Sequence, residues 1–188
     1  MGVTLLGYDQ VLAPFGRPKV QTGLNIWTTV TSDVCLIQHL LALYFCWEYP
    51  VTATLSKDQF LKDFREGRPR YCSSILVNAL LALGCRFSSK PFTCAVPNVM
   101  STSGDHFFEE CQRLLSLEQD HRALTTIQAL GIMSIREASF GRNSTSSYYG
   151  DQSIRLAMEM YQLKETSHDA DKLAVRSATF WGAFVLDM

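Results

Sequence analysis

The chain has 188 residues, 47% hydrophobic and 19% charged, with a formal net charge of -1. That length buries the core of one domain, and the near-neutral balance excludes the clustered basic footprint that duplex binding by counterion release requires. The six cysteines, Cys35, Cys46, Cys72, Cys85, Cys94 and Cys111, include no C-x-x-C pair, which argues against zinc and disulfide frameworks and for reduced thiols acting as small hydrophobes.

Residues 1–31 hold Pro14, Gly16, Pro18 and Gly23 without a sustained period and read as an irregular lead-in. Ser32 or Thr31 is then placed to cap a helix carrying Val34, Ile37, Leu41, Tyr44 and Phe45, which Pro50 ends. Ser56-Lys57-Asp58-Gln59 has the form of a capping box opening a short helix with Phe60, Leu61 and Phe64, broken by Gly67 and Pro69. The run from Lys57 to Arg70, five basic residues against three acidic, reads as a solvated surface.

Ser73 or Ser74 starts a helix with Leu76, Ala79, Leu80, Leu83 and Phe87 on one stripe. Residues 88–102 read as a long loop, after which Ser103 is expected to cap an amphipathic helix with Phe107, Cys111, Leu114 and Leu115 inward. Residues 127–135 leave almost no polar face, so this helix is expected at the centre of the fold. A polar loop over 140–149 precedes a helix aligning Ile154, Ala157, Met158 and Tyr161, and a charged loop over 164–171 leads to the last helix. The expectation is an all-α fold, an irregular bundle of about seven helices. The final run, Phe180, Trp181, Phe184 and Val185, closes on Asp187-Met188 without a cap, which suggests a domain whose C-terminal part is missing. If those four side chains lack half their packing partners, about 3–6 kcal/mol is lost from a stability of about 5–15 kcal/mol, so marginal stability or association through this helix is expected.

No signal peptide, myristoylation pattern or membrane-length apolar stretch is visible. His106 with Glu109 and Glu110 lacks the second histidine of a zinc-hydrolase helix, and His39 among leucines reads as a core or groove histidine. Neither G-x-S-x-G nor a phosphate-binding glycine loop occurs. The sequence therefore reads as a non-enzyme; a catalytic alternative would need His106, Glu109 and His121 gathered in one pocket.

One ordered series remains: Leu43-Tyr44-Phe45, Pro50 and Phe60; residues 80–84, ending in Gly84; Phe107-Phe108; residues 125–130, with Gln128 and Leu130; Gly150 followed by Ile154-Arg155-Leu156-Ala157; and Trp181, Phe184 and Leu186-Asp187. In order and spacing it resembles the fungal-specific transcription factor domain, also called the xylanolytic activator regulatory domain, of fungal binuclear zinc-cluster proteins. The resemblance covers about residues 33–188, making 32–188 a partial regulatory domain, and residues 56–88 and 124–142 are similar to nitrogen-assimilation-type regulators. It implies a nuclear helical domain that modulates a separate DNA-binding module in response to metabolites or partner proteins, with protein partners or regulatory subunits expected and a homodimer open to the full-length protein. Zinc and DNA contact are implied only for an N-terminal cysteine cluster, so no cofactor, nucleic acid or membrane is expected at this chain. Two departures, Met160-Tyr161-Gln162-Leu163 for the family's Gly-Leu-His and Arg176 alone for its basic pair, bear on effector response. The alternative is a helical protein-interaction module unrelated to transcription.

Overall fold

A computed structural model describes residues 27–162 and 169–186. Among them are seven α-helices and no strand: α1 (Val34–Trp47), α2 (Lys57–Glu66), α3 (Ser74–Cys85), α4 (Asp105–Leu117), α5 (Leu124–Ser139), α6 (Asn143–Gln162) and α7 (Ala170–Val185). The all-α expectation holds.

The cap of α1 is Asp33, one residue beyond those expected; its carboxylate accepts the Leu36 N–H at 3.1 Å, and the Thr31 hydroxyl accepts the Asp33 N–H at 3.1 Å. A carboxylate is the stronger acceptor for a free first-turn donor. Ser56 occupies the cap of α2 without a side-chain cap bond, so the expected capping box is not formed. That helix is held instead by burying Phe60, Leu61 and Phe64, and it ends at Gly67 with φ 69°. Ser73 caps α3 as expected, accepting the Leu76 N–H at 3.2 Å.

Every residue of α3 from 75 to 85 is buried, including Asn78. Its Oδ1 accepts from the Thr28 hydroxyl at 2.8 Å, while Nδ2 donates to the carbonyls of Trp27 (3.2 Å) and Ser74 (2.8 Å). Of the expected irregular lead-in, residues 1–26 lie outside the described residues; residues 27–31 are irregular, with Trp27 and Thr28 buried and Thr29 exposed. The Trp27 indole N–H also donates to the Phe64 carbonyl at 3.1 Å. From there an aromatic row runs Trp27, Phe64, Phe60, Phe45 and Tyr44, with ring centroids 5.0–6.5 Å apart. Such spacings suit offset and edge contacts.

The expected loop between α3 and α4 is tied rather than loose. Cys94 bridges Ser103 in antiparallel fashion, and the Gly104 N–H donates to the Thr93 carbonyl at 2.8 Å. Gly104 caps α4 in place of the expected Ser103, at φ 71°, and a Cβ there would lie 2.3 Å from the Ala82 carbonyl oxygen. The chain needs a left-handed residue at this corner, a conformation glycine adopts without steric cost.

Helix α5 is the centre, with every residue over 125–134 buried, and it packs on α3, α6 and α7. The polar loop expected over 140–149 shrinks to a turn at Gly141 (φ 71°), and α6 starts at Asn143. Residues 143–149 contain no proline or glycine, and the Ser146 N–H to Arg142 carbonyl bond at 2.9 Å opens the helix directly. Of the charged loop expected over 164–171, residues 164–168 lie outside the described residues. Asp169 caps α7, accepting from the N–H groups of Asp171 and Lys172, and the Arg70 guanidinium donates to it at 2.5 Å.

Candidate functional site

The α5–α6 seam sets the geometry of the candidate site. Small residues let the two helices meet closely, and hydroxyls fix their register. Ser153 donates to the Ile127 carbonyl at 2.9 Å, Ser134 to the Ser146 carbonyl at 2.8 Å, and Ser146 back to the Ser134 carbonyl at 3.0 Å. A Cβ on Gly150 would approach the Ser134 Oγ to 3.1 Å. On the other side of α5, the buried Gln128 carboxamide donates to the Thr179 hydroxyl at 2.7 Å, and Thr179 donates to the Val175 carbonyl at 2.8 Å.

At the C-terminal end of α5 lies a buried ionic cluster that the sequence reading missed. Arg136 is fully buried, yet Nη1 donates to Glu137 at 2.6 Å, while Nη2 donates to Asp105 at 2.5 Å and to the Ser103 carbonyl at 2.9 Å. Its guanidinium lies 4.3 Å from the Phe108 ring centroid and 4.9 Å from that of Phe140. Arg142 adds a second cation 3.2 Å from Glu137. This cluster fastens the 88–104 segment and the start of α4 to α5. No periodicity could reveal it, because Arg136-Glu137 at a helix end reads as a surface pair.

Two features face outward. A cleft of about 410 Å³ lies between α4, α5 and α6, with Leu130 and Leu156 in its floor and Arg155 and His121 at its edge. Separately, α7 presents an aromatic ridge. The ring of Phe180 stacks on Tyr161 at 4.6 Å and Trp181 sits 6.1 Å from Phe184, with Trp181 59% and Phe184 40% exposed.

The family-motif residues divide between these places. Tyr44, Phe45, Phe60 and Gly84 are interior, and Pro50 sits exposed in the turn after α1. Gln128 and Gly150 stand in the seam around α5, with Ala157 buried on α6; Leu130 and Arg155 line the cleft; Trp181 is on the ridge. Asp187 lies outside the described residues. His106, Glu109 and His121 are not gathered: the cleft that holds His121 contains neither of the others. Burial lowers the pKa of His106, whose Nδ1 is enclosed without a partner. Among the described residues no group of three or more His, Cys, Asp or Glu could hold a metal ion, and no helix is long and apolar enough to cross a membrane.

The described residues thus form an all-helical body with a polar-locked centre and an outward aromatic ridge. The profile of the fungal specific transcription factor domain matches residues 41–188, and the chain belongs to that family. It is 46% identical over 176 residues to the nitrogen assimilation transcription factor nirA of Emericella nidulans, a match covering 89% of this chain and 20% of that protein. It is 44% identical over 189 residues to the nitrogen assimilation transcription factor nit-4 of Neurospora crassa, covering 91% of this chain and 17% of that protein. The notoamide biosynthesis transcriptional activator notL' of Aspergillus versicolor is 29% identical over 91% of this chain and 28% of its own length. The chain thus spans about a fifth of the length of the first two relatives. No solved structure gives a significant match. The chain is thus a fungal transcription factor regulatory domain that is similar, over about nine-tenths of its length, to two nitrogen assimilation transcription factors.

Proposed function

We propose that this chain serves, in the nucleus, as the regulatory part of a transcription factor controlling nitrogen-assimilation genes, acting through protein contacts and not through catalysis. The observation that carries this reading is the 46% and 44% identity to two nitrogen assimilation transcription factors over about nine-tenths of the chain. DNA contact and zinc binding are assigned to a separate module, consistent with a net charge of -1 here. The protein-contact surface is assigned to the ridge of Phe180, Trp181 and Phe184, since exposed aromatic clusters are the commonest anchors of protein interfaces. A partner subunit or a second copy of the full-length factor are the occupants it suits.

Replacing the homologous segment of nirA in Emericella nidulans with this chain tests the assignment. The expected result is restored transcript levels of nitrogen-assimilation genes and a nuclear fluorescent fusion. A chimera that is stable and nuclear but leaves those transcripts at the null level would overturn it.

A further inference from the structure

We infer that the cleft between α4, α5 and α6 is a binding site for a small monocarboxylate with a compact apolar body. Its volume of about 410 Å³ lies in the range of small-molecule sites. The floor is apolar, made by Leu115, Leu130 and Leu156, and the largely buried Tyr149 forms one wall. Gln112 Nε2 donates to the Tyr149 hydroxyl oxygen at 2.9 Å, so the phenol keeps its own proton for a further acceptor.

Charge fixes the polarity of the guest. Among the described lining residues none is acidic, whereas Arg155 and His121 both line the cleft. Arg155 is oriented by Gln152 at 2.6 Å and by Glu159 at 2.9 Å, and Glu159 also meets Arg122 at 3.3 Å. Glu159 therefore faces two guanidiniums, while the Glu118 and Asp120 carboxylates of the adjoining turn accept the backbone N–H groups of Asp120 and Arg122, and neither lines the cleft. A single anionic group meets Arg155 through charge-assisted hydrogen bonds, while the leucine floor takes a hydrocarbon body. An inorganic oxyanion would leave the floor unfilled, and a neutral guest would forgo the charge-assisted bonds to Arg155. This inference goes beyond the transcriptional reading and does not depend on it, because binding is measured on the purified chain.

The test titrates phenylacetate and isocaproate against the full chain, following tyrosine ring resonances by NMR, with phenylacetamide and inorganic sulfate as comparisons. Saturable binding of the carboxylates is expected, with the amide and sulfate each about tenfold weaker or more. Ser116, exposed on α4 beside the cleft, gives the blocking variant Ser116→Trp, expected to abolish carboxylate binding. Arg155→Gln, also exposed, is expected to weaken carboxylates about tenfold or more and leave the amide unchanged; unchanged melting curves establish that both variants fold. Equal affinity for amide and carboxylate would overturn the charge assignment, and sulfate binding as tight as phenylacetate would overturn the apolar one. Undiminished binding by Ser116→Trp would remove the ligand from this cleft, and absence of saturable binding would sink the site altogether.

Discussion

Gly84 of α3 crosses Leu40 of α1 so closely that a Cβ at Gly84 would stand 2.5 Å from the Leu40 carbonyl oxygen. The neighbour is helix backbone and has no rotamer by which to yield. Gly84→Ala should therefore force α1 and α3 apart. Overpacking of this kind costs about 1–3 kcal/mol, against up to about 1 kcal/mol regained in helix propensity. A lower denaturation midpoint in urea is expected, and an equal or higher one would show that the helices separate freely.

Arg136→Met should be strongly destabilising. It leaves the buried Glu137 carboxylate with only the partly exposed Arg142 guanidinium, 3.2 Å away, and takes from Asp105 its nearest cation, a loss of up to about 3–5 kcal/mol for a broken buried pair. Adding Glu137→Gln to the same chain should recover part of the loss, because the stranded negative charge is then gone. Chemical denaturation of the single and double variants measures both steps.

The pH dependence near neutrality should carry the signature of His106. Burial lowers its pKa, opposed by Asp105 and Glu109 and assisted by Arg136. The folded state then binds a proton less readily than the unfolded chain. Stability from this group is fully present above the unfolded value of about 6.5 and is lost as the pH falls below it toward the depressed folded value. His106→Gln should flatten that limb of a melting-temperature profile while leaving the alkaline side unchanged. His39, lowered by burial and then by Lys90, contributes in the same direction and remains in the variant.

Thiol labelling under native conditions should proceed at Cys35 and more slowly at Cys46, the exposed and half-buried positions. Cys72, Cys85, Cys94 and Cys111 are buried, and burial pushes the Cys111 thiol up to about 12 and raises Cys72 and Cys85 as well. Those four should react only after unfolding. Fast native labelling of more than two thiols would contradict the packing around α3 and α4.

Trp181→Ser should shift the melting temperature little, and Phe184→Ser, whose ring is more than half covered and stacks on Phe180, should lower it through a loss of about 1–2 kcal/mol in stability. Transcriptional output of the chimera should nonetheless fall. A large loss of stability would instead mean that the ridge is covered within this chain.

The parts of the fold legible in the sequence were those written as hydrophobic period. The nearly unbroken apolar run over 127–135, interrupted by Gln128 and Ser134, placed α5 at the centre, and the helix positions followed from the spacing of Leu, Ile and Phe. Caps were less legible, because Asp33, Ser32 and Thr31 are chemically similar acceptors and only geometry chooses among them. The segment over 143–149 looked like a loop by composition, although nothing in it breaks a helix, and tertiary packing on Ser134 carries α6 back to Asn143. The candidate cleft was invisible for another reason. Leu130, Tyr149 and Arg155 read as core and surface residues of separate helices, and only the crossing of α5 and α6 makes them neighbours.

Asn78 has a bearing on where this protein can be cut. Its carboxamide holds the backbone of Trp27 and the hydroxyl of Thr28, so trimming to residue 32, where the hydrophobic pattern begins, would strand a donor and an acceptor in an oily interior and uncap the Phe64 ring. The packed body therefore reaches back at least to Trp27, five residues upstream of the border that patterning alone would choose.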